Sequence, residues 1–183
     1  MHLGTATAKA PIVNFRATSD GWLDLRGRTV RCALGPAGVV AAADKREGDG
    51  KTPLGVWPIR RVLYRPDRGG APKTDLPVEA LEQDDGWCDA PDDPRYNRPV
   101  RLPYPASAEA LWRDDHVYDL IVVLGYNDDP PVPGLGSAIF LHLAWPDYRA
   151  TQGCVALAGE DLEALLALAK PGDALEIAPA DQA

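Results

Sequence analysis

The chain has 183 residues, 45% of them apolar and 25% charged, and 19 Lys and Arg against 27 Asp and Glu give a formal net charge of −8 at pH 7. A globular chain of this length buries roughly 70% of the surface its unfolded form exposes, so its core needs no disulfide or metal staple. The negative balance excludes a broad phosphate-binding face, and with it a nucleic-acid partner, and no apolar run approaches the ~18 residues of a membrane span.

The N-terminal stretch MHLGTATAKAPIVNF lacks the charged-then-apolar order of a secretory signal. A cytoplasmic protein is expected, with the periplasm or cell envelope as its place only if another export route serves it. Eighteen prolines, about twice average usage, lie with Gly and Asp between short apolar stretches, the pattern of a mainly β, loop-rich chain. Strands are predicted from Ile12 to Arg16, Trp22 to Leu25, Thr29 to Leu34, Val39 to Ala42 and Val56 to Tyr64. Gly27 and Gly35-Pro36 supply turns between the early ones. From Arg65 to Pro105 the chain is dense in Pro, Asp and Gly without periodicity, which reads as a long loop-rich insertion (65–105) in one domain spanning 1–183. Ser107 is a plausible N-cap for a short helix through Ala108-Glu109-Ala110-Leu111-Trp112. Further strands follow from Tyr118 to Gly125, Ala138 to Leu143 and Ala174 to Ile177. Between the last two, Leu162, Leu165, Leu166 and Ala169 recur at helical spacing, with Glu160 and Asp161 in the first turn and Pro171-Gly172 as the stop.

Several motifs fail on inspection. Gly50-Lys51-Thr52 matches the end of a phosphate-binding loop, but the first glycine of that motif would fall on Lys45 and Pro53 intrudes where a helix should begin. A glycine-rich turn into the strand at Val56 is the simpler account. The clusters Asp84-Asp85, Asp92-Asp93 and Asp128-Asp129 lack calcium-loop spacing and read as turn formers. Cys32, Cys88 and Cys154 are odd in number with no C-x-x-C pair, so at least one thiol is expected to be free. His2, His116 and His142 are widely separated, and a metal site of His116, His142 and Cys154 is a minor alternative to no metal at all.

The segment SAIFLHLAWPDYRATQGCVAL, residues 137–157, carries the chemistry. On an extended strand Ile139, Leu141 and Leu143 face one way and Phe140 and His142 the other. A histidine there is either a hydrogen-bonded core residue or a base. A short excursion through Trp145-Pro146-Asp147-Tyr148 could fold Cys154 back beside it, and a buried cysteine is in turn either inert packing or a nucleophile. Gly153 tips the balance, because an acyl-transfer nucleophile needs close substrate approach and free backbone amides. An adjacent imidazole favours the thiolate that attacks carbonyls. Asp147 or a backbone carbonyl near His142 is available to fix its tautomer.

These residues resemble the L,D-transpeptidase catalytic domain, or YkuD-like domain, which remodels bacterial peptidoglycan. His142 on a strand, then Thr151, Gly153, Cys154 and Val155, fit that family's pattern, and Thr52-Pro53-Leu54-Gly55 is similar to its distant T-P-x-G segment. The resemblance covers most of the chain from about Arg28 onward. It implies a mixed-sheet β-sandwich with the C-terminal helix packed on it. It also implies that Cys154 attacks the bond preceding the terminal D-alanine of a tetrapeptide stem, that His142 serves as base and then acid, and that the Leu143 carbonyl orients the imidazole. The amides of Gly153 and Cys154 would form the oxyanion hole, and no cofactor is implied. Thr151, Gln152, Tyr148 and Arg149 are the candidate contacts to the peptidoglycan stem peptide, with Arg113 a further one by charge. Gln152 stands where the family often has His, Ala156 where Asn or Arg is usual, and the loop from His142 to Cys154 is short, features of a divergent branch. Two other outcomes stay open at this level: an L,D-carboxypeptidase passing the acyl group to water, and a non-catalytic wall- or peptide-binding relative in which Cys154 is a buried thiol that alkylates slowly.

Overall fold

Alternation of apolar and polar residues drives the first three strands to bury one face. The computed structural model describes residues 12–181. The first eleven positions, which include His2 and most of the stretch on which the export expectation rests, lie outside the described residues. Strands β1 (Ile12–Thr18), β2 (Trp22–Leu25) and β3 (Thr29–Ala33) form an antiparallel meander, with Phe15 opposite Leu25 and Leu23 opposite Val30. Phe15, Ala17, Leu23 and Leu25 are buried while Arg16 and Asp24 between them reach solvent, the period of two that a half-buried sheet requires.

Next come β4 (Val39–Ala41), a 3₁₀ turn at Ala42–Asp44 and the long β5 (Thr52–Tyr64). The remaining elements are β6 (Val78–Ala80), β7 (Asp85–Cys88), β8 (Pro99–Arg101), β9 (Ala108–Ala110), β10 (Leu120–Leu124), β11 (Phe140–Leu143), β12 (Val155–Leu157), the helix α1 (Gly159–Leu168) and β13 (Asp173–Ala178).

The main sheet is mixed and runs β10-β11-β12-β3-β2-β1-β13-β5, then returns to its start because β5 also pairs with β10. Strand β5 has the length to serve both neighbours: Gly55 to Pro58 pair with β13, and Ile59 to Tyr64 with β10. The result is a barrel-like circuit instead of the two-sheet sandwich expected from the sequence. Closure removes two edges that would otherwise be open to pairing with other chains.

One further expectation is corrected. The helix predicted from Ser107 does not form: Ala108–Ala110 is strand β9, with Trp87 of β7 opposite Glu109. A single turn of good helix formers cannot offset the cost of helix nucleation, whereas the ladder to β7 satisfies the backbone and buries Leu111 at 2% exposure. The 65–105 segment contributes β6 to the main sheet, and its β7 and β8 join β9 in a second sheet of order β8-β7-β9.

The apolar residues divide into two cores with β11 between them. Phe15, Leu23, Leu141, Val155 and Leu175 form the first, joined by Leu162, Leu165 and Leu166 of α1. Trp87, Leu111, Tyr118, Ile121 and Phe140 form the second, where the small sheet covers the other face of β10 and β11. Cys154 belongs to this second core. The inside and outside of one strand thus separate structural packing from the candidate chemistry.

Candidate active site

Parallel pairing places the histidine and the cysteine. Strands β11 and β12 match Leu141 with Val155 and His142 with Ala156, so Cys154, one residue before β12, lies level with Phe140. The Cys154 thiol donates to the Ala138 carbonyl at 3.1 Å, and Sγ accepts from the Phe140 amide at 3.4 Å. His142 follows two residues after Phe140 and therefore shares its face. Parallel strands require a crossover connection, and here it is the segment 144–154, which carries the candidate substrate contacts. His142 and Cys154 both line a cavity of about 580 Å³.

The imidazole is held through its backbone-side nitrogen. Nδ1 of His142 lies 2.9 Å from the Leu143 carbonyl oxygen. A carbonyl can only accept, so Nδ1 carries the proton and Nε2 is left as the acceptor. Asp147, the other group considered for this role, accepts instead from the Arg149 amide at 3.2 Å. The ring of Tyr118 packs edge-on against the His142 ring at 5.2 Å, and its hydroxyl donates to Glu109 Oε1 at 2.8 Å.

Burial decides the charge state of the pair. It pulls the His142 pKa down to about 4, the bond to Leu143 opposing only in part. It pushes the Cys154 thiol up to about 12, although the Phe140 amide favours the thiolate. Desolvation penalises whichever form is charged. The resting pair is accordingly neutral thiol and neutral imidazole, which corrects the expectation that the imidazole would hold a thiolate.

The two sequence motifs, a hundred residues apart, meet at Gly153. Its φ is +125°, and a Cβ there would stand 2.8 Å from the Lys51 carbonyl oxygen, next to the T-P-L-G segment. Only glycine combines that conformation with that contact. Thr52 is fully buried and its Oγ1 accepts from the Gly35 amide at 2.9 Å. The Thr151 amide donates to the Leu34 carbonyl at 3.0 Å. Thr151 Oγ1 donates to the Cys154 carbonyl at 2.7 Å and accepts from the Gly153 amide at 3.1 Å. Upstream, Gly48 and Gly50 adopt positive φ in a turn, and Lys51 donates its amide to Asp49.

Of the other candidates, Thr151, Gln152, Arg149 and Arg113 line the cavity and Tyr148 does not. The Arg31 guanidinium lies over the Tyr148 ring at 4.5 Å, and that of Arg149 over Trp145 at 3.6 Å. His116 is directed elsewhere, with Nε2 3.1 Å from the Ala144 carbonyl. Among the described residues no group of three or more His, Cys, Asp or Glu is placed to hold a metal ion, and no helix is long and apolar enough to cross a membrane. All three cysteines are free and buried.

Sequence reasoning missed Glu47, Asp89, Glu109, Tyr118 and Ala138, which line the same cavity. Burial raises the Glu109 carboxyl above its ordinary range, and Tyr118 is raised well above its own. No local pattern marks these residues. They reach the site from strands and loops whose pairing is long-range.

No curated protein and no solved structure matches this chain at a significant level. The family model of the L,D-transpeptidase catalytic domain, YkuD, matches residues 14–177, nearly the whole chain and from β1 through β13. That family acts on peptidoglycan peptides. With this match spanning both the T-P-L-G segment and the Gly153-Cys154 pair, the chain belongs to the L,D-transpeptidase catalytic domain family.

Proposed function

We propose that the protein is a cysteine acyltransferase acting on the tetrapeptide stems of peptidoglycan, an L,D-transpeptidase that works through a Cys154 thioester and releases D-alanine. We take the chain as one catalytic domain in which the small sheet covers the site face. The observation that carries the proposal is the fixed tautomer of His142: its Nδ1 is committed to Leu143, leaving Nε2 as a base in the cavity that Cys154 shares.

Because both groups rest neutral, proton transfer and attack proceed together. Sγ bonds to the carbonyl carbon preceding D-alanine while its proton passes to Nε2. The oxygen of that carbonyl takes up negative charge, which preorganised amides stabilise. The amides of Gly153 and Cys154 fill this role, and that of Gly153 must then give up its bond to Thr151 Oγ1. On collapse the C–N bond breaks and the leaving amine takes the proton from Nε2, which frees D-alanine and leaves the thioester. An acceptor then attacks, its proton goes to Nε2, the C–S bond breaks and the thiol is restored.

Incubation with a disaccharide tetrapeptide and an amine acceptor tests the assignment. D-alanine release that is lost in Cys154→Ala and strongly reduced in His142→Gln is expected, with cross-linked dimer as the main product. Tripeptide alone, despite abundant amine, makes water the acceptor and the enzyme an L,D-carboxypeptidase. A folded protein that binds the tetrapeptide without releasing D-alanine is a binding relative.

A further inference from the structure

The sulfur of Cys154 is bracketed by two backbone groups of one segment, the Ala138 carbonyl that accepts its proton and the Phe140 amide that donates to it. Ala138 has φ +51°, a left-handed conformation that is unfavourable for an L-residue because its Cβ crowds the following carbonyl oxygen. That conformation must be held from outside. The hold comes from Asn97, a residue 3% exposed in the Pro- and Asp-rich segment. Its Oδ1 accepts from the Ala138 amide at 3.0 Å and from Trp87 Nε1 at 2.8 Å. Its Nδ2 donates to the carbonyls of Tyr126 at 3.0 Å and Asn127 at 2.7 Å.

Both amide hydrogens and both oxygen lone pairs are thereby used, which is the full capacity of the side chain. The indole only donates and the two carbonyls only accept, so the orientation of the Asn97 amide is fixed by its partners. The preceding residue acts alongside it, the Tyr96 hydroxyl accepting from the Gly136 amide at 2.9 Å. Residues 96 and 97 thus grip alternate amides of the segment that leads to the thiol.

We infer that Asn97 is a positioning residue for the nucleophile: it clamps the Ala138 peptide so that the Cys154 thiol is set between the Ala138 carbonyl and the Phe140 amide. The catalytic meaning of this clamp rests on the thioester chemistry proposed for Cys154. Without the Asn97 amide, Ala138 relaxes towards negative φ, its peptide turns, and its carbonyl leaves the sulfur.

The test reads the thiol directly. Asn97 itself has φ +54°, so Asn97→Gly removes the amide without straining the backbone at that position. The S–H stretching band of Cys154, identified by its loss in Cys154→Ala, is expected at higher frequency in folded Asn97→Gly, because the bond to Ala138 is gone. The rate constant for D-alanine release falls by about tenfold or more, the scale of a small misplacement of reacting atoms, with KM little changed. Adding Ala138→Gly removes the left-handed penalty and restores most of both. An unmoved band in folded Asn97→Gly, or no recovery in the double variant, overturns the inference. If Asn97→Gly does not fold, Ala138→Val disfavours the same conformation from the other end, and an unmoved band there overturns it equally. Because the band is read without substrate, a band that shifts in a protein that never releases D-alanine removes the acyltransferase reading and leaves the clamp standing.

Discussion

Nδ1 of His142 donates to the carbonyl of the next residue, Leu143, at 2.9 Å. A bond between chain neighbours is set by the local backbone, so the ring orientation is fixed by the end of β11 and not by a distant carboxylate. A neutral carbonyl orients the ring but offers far less to an imidazolium than a carboxylate would. Burial lowers the His142 pKa and the Leu143 bond offsets only part of that, so the histidine is held in place yet titrates low.

The pH dependence of catalysis follows from that low value. On the proposed mechanism His142 is the base, it is protonated only near pH 4, and kcat/KM reports groups of the free enzyme. For the tetrapeptide, kcat/KM is expected to stay level from about pH 5 to pH 8 and to halve near pH 4. A limb centred near pH 6.5 would mean that His142 is solvated and contradict the buried geometry.

Stability carries the same signature. In the unfolded chain His142 titrates near 6.5, in the folded protein near 4. Between those values the unfolded state binds the proton and the folded state does not, so stability falls as the pH drops through that window. At pH 7 the penalty is absent; at pH 4.5 it amounts to about 2–3 kcal/mol at 1.36 kcal/mol per unit. Urea unfolding of the protein and of His142→Gln at both pH values should show the variant losing less stability by about that amount, and equal losses would refute it.

Thiol reactivity is expected to be low in the resting enzyme. With Cys154 near 12, pH 8 lies four units below its pKa, and only about one thiol in ten thousand is ionised. Iodoacetamide should modify it slowly, no faster than Cys32, which burial also raises to about 12. Slow alkylation therefore no longer separates an enzyme from a binding relative, since the neutral pair predicts it for both. Rapid, His142-dependent labelling at neutral pH would contradict the neutral pair.

Gly153→Ala should be costly in a way that an ordinary turn glycine is not. At Gly172, with φ +96°, an added Cβ meets nothing within 4 Å, so alanine there costs about 1–2 kcal/mol for the backbone alone. At Gly153 the same methyl meets the Lys51 carbonyl at 2.8 Å, and the neighbour that must move is backbone. The urea midpoint should fall further for Gly153→Ala than for Gly172→Ala, and D-alanine release should be lost only in the former. Equal effects would show that the close approach is not required.

Much of the barrel was legible because its strands are driven by local alternation. Phe15, Ala17, Leu23 and Leu25 bury on one face as their spacing dictates, and α1 begins within a residue of its expected position. The closure was not legible, since nothing in β5 alone says that its two halves take different partners. The stretch at Glu109 misled because its residues favour a helix, while the strand that overrides them, β7, lies inside a segment read as loop. At the candidate site, His142 and Cys154 were visible through one motif, while Leu143 was named only through the family resemblance, the residues alone offering Asp147 or a backbone carbonyl near His142. Asn97, Glu109 and Tyr118 were invisible for a shared reason: Asn97 lies 41 residues from the amide it holds, and such contacts leave no trace in local spacing.

Whether Cys154 carries the acyl group is read from the intact-protein mass after brief mixing with a disaccharide tetrapeptide. An adduct equal to the tetrapeptide donor less D-alanine is expected, absent in Cys154→Ala and persistent in the presence of a poor acceptor. D-alanine release without an adduct and undiminished in Cys154→Ala would contradict it, as would a folded protein that binds the donor and forms no adduct.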